Sequence, residues 1–238
     1  MIDDDGTPVV LGRASGAHGE VLLRRRGGDR APVTELIVDG VFAMDDVDTS
    51  TERALAVETL RRCRGGELRV LVGGLGLGWT AATVLADPRV AQADVVELQP
   101  ALVGWAADGL LPGLPEFPGR RLRLRVGDVR DALAAAPGSW DAVLLDVDNG
   151  PAFLVHQANA ALYADAGLAT ALAALRPGGV LAIWSSDPAP ELAERLAALP
   201  GSAGVEHVLL PVERDGRRFD YAIVLARAAQ ARSADDVA

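Results

Sequence analysis

"VLVGGLGLGWTAATVLA", residues 70–86, decides how the rest of the chain is read. An apolar run ends in Gly73, Gly74, Gly76 and Gly78, and a stretch with helical spacing follows at once. Glycines at such a junction let the backbone turn tightly and approach a ligand closely, and the next helix offers free N–H groups. Strand, glycine turn and helix predict the first unit of a parallel α/β sheet. Alone, the turn is weak evidence for any nucleotide; the strands that follow carry the decision.

Apolar runs recur at "ADVVEL" (93–98), "RLRLRVG" (121–127), "DAVLLD" (141–146) and "GVLAIWS" (179–185), after "LRVLVG" (68–73). Helix-like stretches at about 77–86, 100–109, 129–136, 158–175 and 189–199 separate or follow them. Strongly apolar strands alternating with helices imply a parallel sheet covered on both faces. Two last runs, "VEHVLLPV" (205–212) and "DYAIVLAR" (220–227), are joined by a short turn-like segment and predict a hairpin whose final strand is antiparallel. Seven strands of this kind make a Rossmann-like class I methyltransferase fold. Upstream, residues 9–47 hold short β-like segments broken by turn signals, and Asp39-Gly40 reads as a type I′ hairpin turn. The expected division is a small N-terminal antiparallel unit over 1–48 and a Rossmann-like domain over 49–238. A helix is expected to open the larger unit, with the Thr/Ser cluster at 49–51 as its cap.

Open α/β sheets bind ligands outside the carboxyl ends of their strands. Here four successive strands end in glycines, Glu97, Gly127-Asp128 and Asp146, with Asp148 just beyond in "LLDVDNGP". Each acid alone reads as a cap or turn residue; arriving together at one edge, they predict a nucleoside pocket. Glu97 lies where an acid receives two ribose hydroxyls. NAD shares that acid but needs GxGxxG spacing for its pyrophosphate, whereas this turn has G-L-G-L-G and no Arg or Lys nearby. The further acids would repel phosphates, so a cationic sulfonium nucleoside suits the edge better.

Composition narrows the rest. Half of the 238 residues are apolar and the net charge is −10, which argues against a nucleic-acid-binding surface. The basic clusters at 23–30, 61–64 and 120–125 read as solvated turns and strand edges. A single cysteine, Cys63, excludes an internal disulfide, and His18, His156 and His207 have no metal-ligand spacing. With an acidic N-terminus and no long apolar run, the chain is expected to be cytoplasmic, metal-free and without a membrane partner.

With these residues assembled, the sequence resembles the spermidine synthase-like branch of the class I S-adenosylmethionine-dependent transferases. The motifs that carry the resemblance are "ELIVDGVFAMD", "VGGLGLG", "VVELQP", "GDVRDAL", "DAVLLDVDNGP" and "LRPGGVLAIW". It implies that Gly73, Gly74, Gly76 and Gly78 shape the cofactor pocket and that Glu97, with Leu98, holds the ribose. It also implies that Asp128, with Gly127 and Val129, faces the adenine, and that Asp146 and Asp148 line the reactive end, Asp148 as proton acceptor. Aminopropyltransferases carry an Asp in the glycine loop where this chain has Gly76, and D-S-S-D-P where it has D-V-D-N-G-P. Their Tyr-x-Glu and their fifth-strand Gln have no counterpart in "STERALAVETL" and "AIWSS".

The leading expectation is therefore methyl transfer from S-adenosylmethionine to a small molecule. The second is aminopropyl transfer from decarboxylated S-adenosylmethionine to an amine. The third is a non-catalytic nucleoside-binding or interaction protein. Exposed strands of the N-terminal unit make a homodimer a further expectation. Glu52, Arg53, Trp79, His156, Gln157, Tyr163, Trp184 and the Ser185-to-Asp187 segment are subsidiary candidates, each with an ordinary packing or capping explanation.

Overall fold

The structure is a computed structural model that describes residues 7–27, 31–114, 116, 119–147, 159–214 and 216–230. Four strands, β1 (Val9–Gly16), β2 (Gly19–Arg26), β3 (Val33–Val38) and β4 (Val41–Asp45), form an antiparallel meander in the order β1-β2-β3-β4. Asp39 and Gly40 have φ of 50° and 76°, the positive values a type I′ turn requires, and Val38 pairs with Val41 across it. On β2, Arg24 and Arg26 lie on one face and grip the buried Glu35 of β3 as a two-armed fork, Arg24 Nε at 2.7 Å. Part of the 23–30 basic cluster is thus internal structure.

Helix α1 (Ser50–Arg62) leads into β5 (Leu68–Gly73), α2 (Trp79–Ala86), β6 (Val90–Glu97), α3 (Pro100–Ala107), β7 (Leu122–Val126), α4 (Val129–Ala134) and β8 (Trp140–Leu145). Short α5 (Ala160–Tyr163), α6 (Asp165–Ala173), β9 (Leu175–Ser185), α7 (Pro190–Ala198), β10 (Ser202–Arg214) and β11 (Arg217–Ala228) complete the order. The described strands from β5 onward form one seven-stranded sheet, β10-β11-β9-β8-β5-β6-β7. β5 through β9 pair in parallel, and β11 is antiparallel to both β9 and β10. The expected parallel sheet with a C-terminal antiparallel hairpin is what the structure has.

Strand alternation explains the two-sided core. Val70 and Val72 of β5, with Ala142 and Leu144 of β8, face a cluster that also holds Leu55 and Leu60 of α1 and Leu23 and Leu36 of the small sheet. Leu71, Val143 and Leu145 point the other way, into the cluster under α4, α6 and α7. The N-terminal meander thereby packs on the same face as α1 and roofs the carboxyl ends of the parallel strands.

Two local expectations change. The helix expected over 158–175 breaks at Ala164, whose extended backbone (ψ 157°) ends α5 and caps α6. The break lets Tyr163 turn inward, where its hydroxyl donates to the Val147 carbonyl oxygen at 2.7 Å just beyond β8. Ser186 and Asp187 do not cap α7, which starts at Pro190 after Ala189. Asp187 instead accepts from the Ala189 backbone N–H (2.7 Å) in the turn leading to it.

Candidate active site

A cavity of about 460 Å³ opens over the carboxyl ends of β5, β6, β7 and β8 and is closed by β3, β4, the start of α1 and the β10–β11 hairpin. Such a volume lies within the ordinary range for small-molecule sites, roughly 300–1,000 Å³.

Its floor is the glycine turn. Gly74 (φ 91°) passes so close to β8 that a Cβ there would run into the Asp146 carbonyl oxygen. Gly76 (φ 51°) lies beneath Met44 of β4, and a Cβ there would stand 2.7 Å from the sulfur. Gly73 and Gly78, expected to bind cofactor, do not line the cavity. Gly73 ends β5 against Val129 and Leu145, and Gly78 starts α2 in a left-handed conformation against Leu114. Their glycine requirement comes from packing.

Glu97 lies at the tip of β6, 7% exposed, and lines the cavity. Its Oε2 accepts from the Leu75 N–H (2.9 Å) and its Oε1 from the Gln99 N–H (2.8 Å), so the side chain ties the glycine turn to the start of α3. Burial pushes the carboxyl up, and the backbone N–H groups of Gln99, Leu75 and Leu98 oppose this. Each oxygen keeps acceptor capacity toward the cavity. Gln99, which sequence reasoning passed over, also lines it, and its side chain donates to the His18 carbonyl oxygen of the β1–β2 turn.

Asp128, flanked by Gly127 and Val129 on the cavity wall, is both a cap and a cavity residue. It accepts from the Arg130 N–H (2.8 Å) at the start of α4 and pairs with the Arg130 guanidinium at 2.6 Å. That guanidinium holds its carboxyl below the ordinary range. Leu98 lines the cavity between Glu97 and Gln99.

On the opposite side of the turn, Asp146 lines the cavity at the tip of β8 and accepts from the Thr80 hydroxyl at 2.6 Å. Burial raises its pKa, and the Thr80 bond offsets part of that. Glu52, in the first turn of α1, lines the same end and accepts from the Thr51 hydroxyl at 2.8 Å. Burial first, and then the Asp146 charge, push the Glu52 carboxyl up to about 7. Arg53 does not close the cavity: its guanidinium sits 4.5 Å from the centre of the Trp79 ring, which packs against the core. Trp184 and Tyr221, a T-shaped pair with centroids 5.4 Å apart, line the wall formed by β9 and β11. Asp148, His156 and Gln157 lie outside the described residues.

The raised Glu52 pKa gives a test. A carboxyl with a raised native pKa contributes stability that is present below its unfolded pKa, near 4.5, and lost as pH rises through about 7. Unfolding titrations should show the stability of unliganded wild type, relative to Glu52→Gln, falling by about 3 kcal/mol across that window. A flat difference curve would place Glu52 in solvent.

The mainly parallel seven-stranded sheet with its small antiparallel N-terminal sheet is the fold of solved spermidine synthases, and the chain is similar to polyamine aminopropyltransferases in sequence. A polyamine aminopropyltransferase of Mycobacterium tuberculosis is 28% identical over 220 residues, covering 87% of this chain and 40% of its own. The polyamine aminopropyltransferase of Mycobacterium bovis gives the same values. The chain thus spans well under half the length of these curated relatives. A spermidine synthase solved in complex with the transition state analogue AdoDATO superposes with TM-score 0.77 at 16% identity, over 92% of this chain and 73% of that one. The spermidine synthase of Thermotoga maritima gives 0.74 at 16%, over 92% and 72%. No family model matches the chain.

Proposed function

We propose that this protein is a transferase that moves the aminopropyl group of decarboxylated S-adenosylmethionine to a di- or polyamine. One observation carries the reading: Glu52 and Asp146 line one end of the cavity with no cationic partner among the described residues. Buried carboxyl groups of that kind favour cationic ligands and repel phosphates. The likeness to aminopropyltransferases supports aminopropyl transfer over the methyl transfer that the sequence alone put first.

In this reading Glu97 receives the ribose hydroxyls, Asp128 faces the adenine, and Gly74 and Gly76 let the nucleoside lie close to the turn. The amine nitrogen attacks the aminopropyl carbon bonded to the sulfonium. A C–N bond forms, the C–S bond breaks, and its electron pair neutralises the sulfur as methylthioadenosine leaves. The nitrogen then sheds a proton to a carboxylate. The protein aligns and desolvates the two centres, the larger part of the acceleration in such a displacement. Asp146 stabilises the charge growing on the nitrogen, and Asp148, two residues further along the chain, is the proton acceptor.

Calorimetric titration should find decarboxylated S-adenosylmethionine bound more tightly than S-adenosylmethionine, and both more tightly than an unrelated nucleotide. Asp148→Asn is expected to keep that binding and to lower turnover by about 10²–10⁴-fold, the usual size of a general-base contribution. Full activity in Asp148→Asn would move the proton acceptor elsewhere. A second reading, methyl transfer, draws on Gly76, which leaves the loop without the acid aminopropyltransferases carry there. Clear preference for intact S-adenosylmethionine would favour it.

A further inference from the structure

We propose that Glu52, in the first turn of α1, holds the cationic amino group at the end of the donor's tail, a place the glycine turn leaves without an acid at Gly76. The inference rests on the aminopropyl reading above and assigns a specificity residue within it.

Position comes first. Glu97 ends β6 and Asp128 follows β7, on one side of the glycine turn, while Asp146 follows β8 on the other. A nucleoside whose ribose meets Glu97 therefore extends its tail over the turn toward Asp146. The Thr80 hydroxyl ties the start of α1 to this end: it lies 2.6 Å from Asp146 Oδ2 and 3.3 Å from the Glu52 carbonyl oxygen. Glu52 is thereby held at the tail end of the cavity by the helix that follows the turn.

The turn itself cannot supply the charge. Met44 Sδ stands 2.7 Å from where a Gly76 Cβ would be, so an acid there would have to displace the methionine. A thioether offers an ammonium only a weak acceptor.

Charge completes the case. Among the described residues, the titratable groups that act on Glu52 are Asp146, just beyond β8, and Asp48 from the loop before α1, both acidic. Across the cavity the hairpin adds Glu213 and Tyr221. Arg53 is turned onto Trp79. Arg26, the described cation that lines the cavity, is committed to Glu35 and lies 3.8 Å from Asp45. An arriving ammonium would stabilise the ionised form of Glu52 that burial and Asp146 disfavour.

The test compares decarboxylated S-adenosylmethionine with the S-propyl sulfonium of methylthioadenosine, the same sulfonium nucleoside without the amino group, by calorimetry on wild type and Glu52→Gln. Wild type is expected to prefer the ligand with the amino group at least tenfold, with the preference growing from pH 6 to 8 as Glu52 ionises. Glu52→Gln should bring the ratio close to one and remove its pH dependence, while affinity for the amine-free sulfonium stays within about twofold, which also reports a folded site. A Glu52→Gln protein that keeps the preference and its pH dependence would overturn the assignment while leaving the aminopropyl reading in place. Wild type that binds neither nucleoside would overturn both.

Discussion

Glu97→Ala is expected to weaken binding of S-adenosyl nucleosides by at least 100-fold. Two ribose hydroxyls donating to a carboxylate supply hydrogen bonds of about 1.5–3 kcal/mol each, and roughly 3 kcal/mol in sum already exceeds two decades of affinity. The substitution also removes the acceptors for the Leu75 and Gln99 N–H groups. Those donors would be left buried or would draw the turn open, so exchange of the Leu75 amide should speed up before any ligand is added. Glu97→Gln, which keeps one carbonyl oxygen, should fall between the two. Unchanged affinity in Glu97→Ala, measured by calorimetry, would put the ribose elsewhere in the cavity.

Gly74→Ala is expected to destabilise the fold by at least 3 kcal/mol and to abolish nucleoside binding with it. A left-handed backbone costs a non-glycine residue about 1–2 kcal/mol, and overpacking adds about 1–3 kcal/mol. Here the new methyl meets a backbone carbonyl, that of Asp146, which is fixed because its own N–H donates to the Gly73 oxygen at 2.8 Å. For a chain of this size that loss corresponds to a melting point lower by about 6–12 °C. Gly76→Ala makes the useful contrast: it carries a left-handed cost too (φ 51°), but its neighbour is the flexible end of Met44, so its melting point should fall by less. Equal losses at the two positions would mean that β5 and β8 are not held as closely as described.

Most of the fold was legible because the parallel strands are apolar on both faces and stop at glycine or acid. That pattern placed β5 without error and the other strand cores within a few residues, and it put Glu97, Asp128 and Asp146 at one edge. Their second duties were not legible. That Glu97 braces the turn through Leu75 and Gln99 depends on the depth at which β6 ends. Asp128 is a cap paired to Arg130 as well as a cavity residue, and spacing alone cannot separate those roles.

The roof was harder still. "STERALAVETL" shows a helix face but not that Glu52 turns into a cavity while Arg53 turns onto Trp79, because that depends on how the small sheet packs over the large one. Met44 over Gly76 and the Trp184–Tyr221 wall likewise come from residues far apart in the chain. The break at Ala164 interrupts an apolar helical period without a Pro, and its local sign is Gly167, where a Cβ would run into the carbonyl oxygens of Ala161 and Leu162.

The most direct test of aminopropyl transfer is chromatographic detection of the nucleoside product when the protein is mixed with decarboxylated S-adenosylmethionine and a panel of linear diamines and polyamines. Methylthioadenosine is expected to accumulate only when an amine is present, one equivalent for each amine extended. No methylthioadenosine with any amine, together with S-adenosylhomocysteine formed from S-adenosylmethionine, would contradict it.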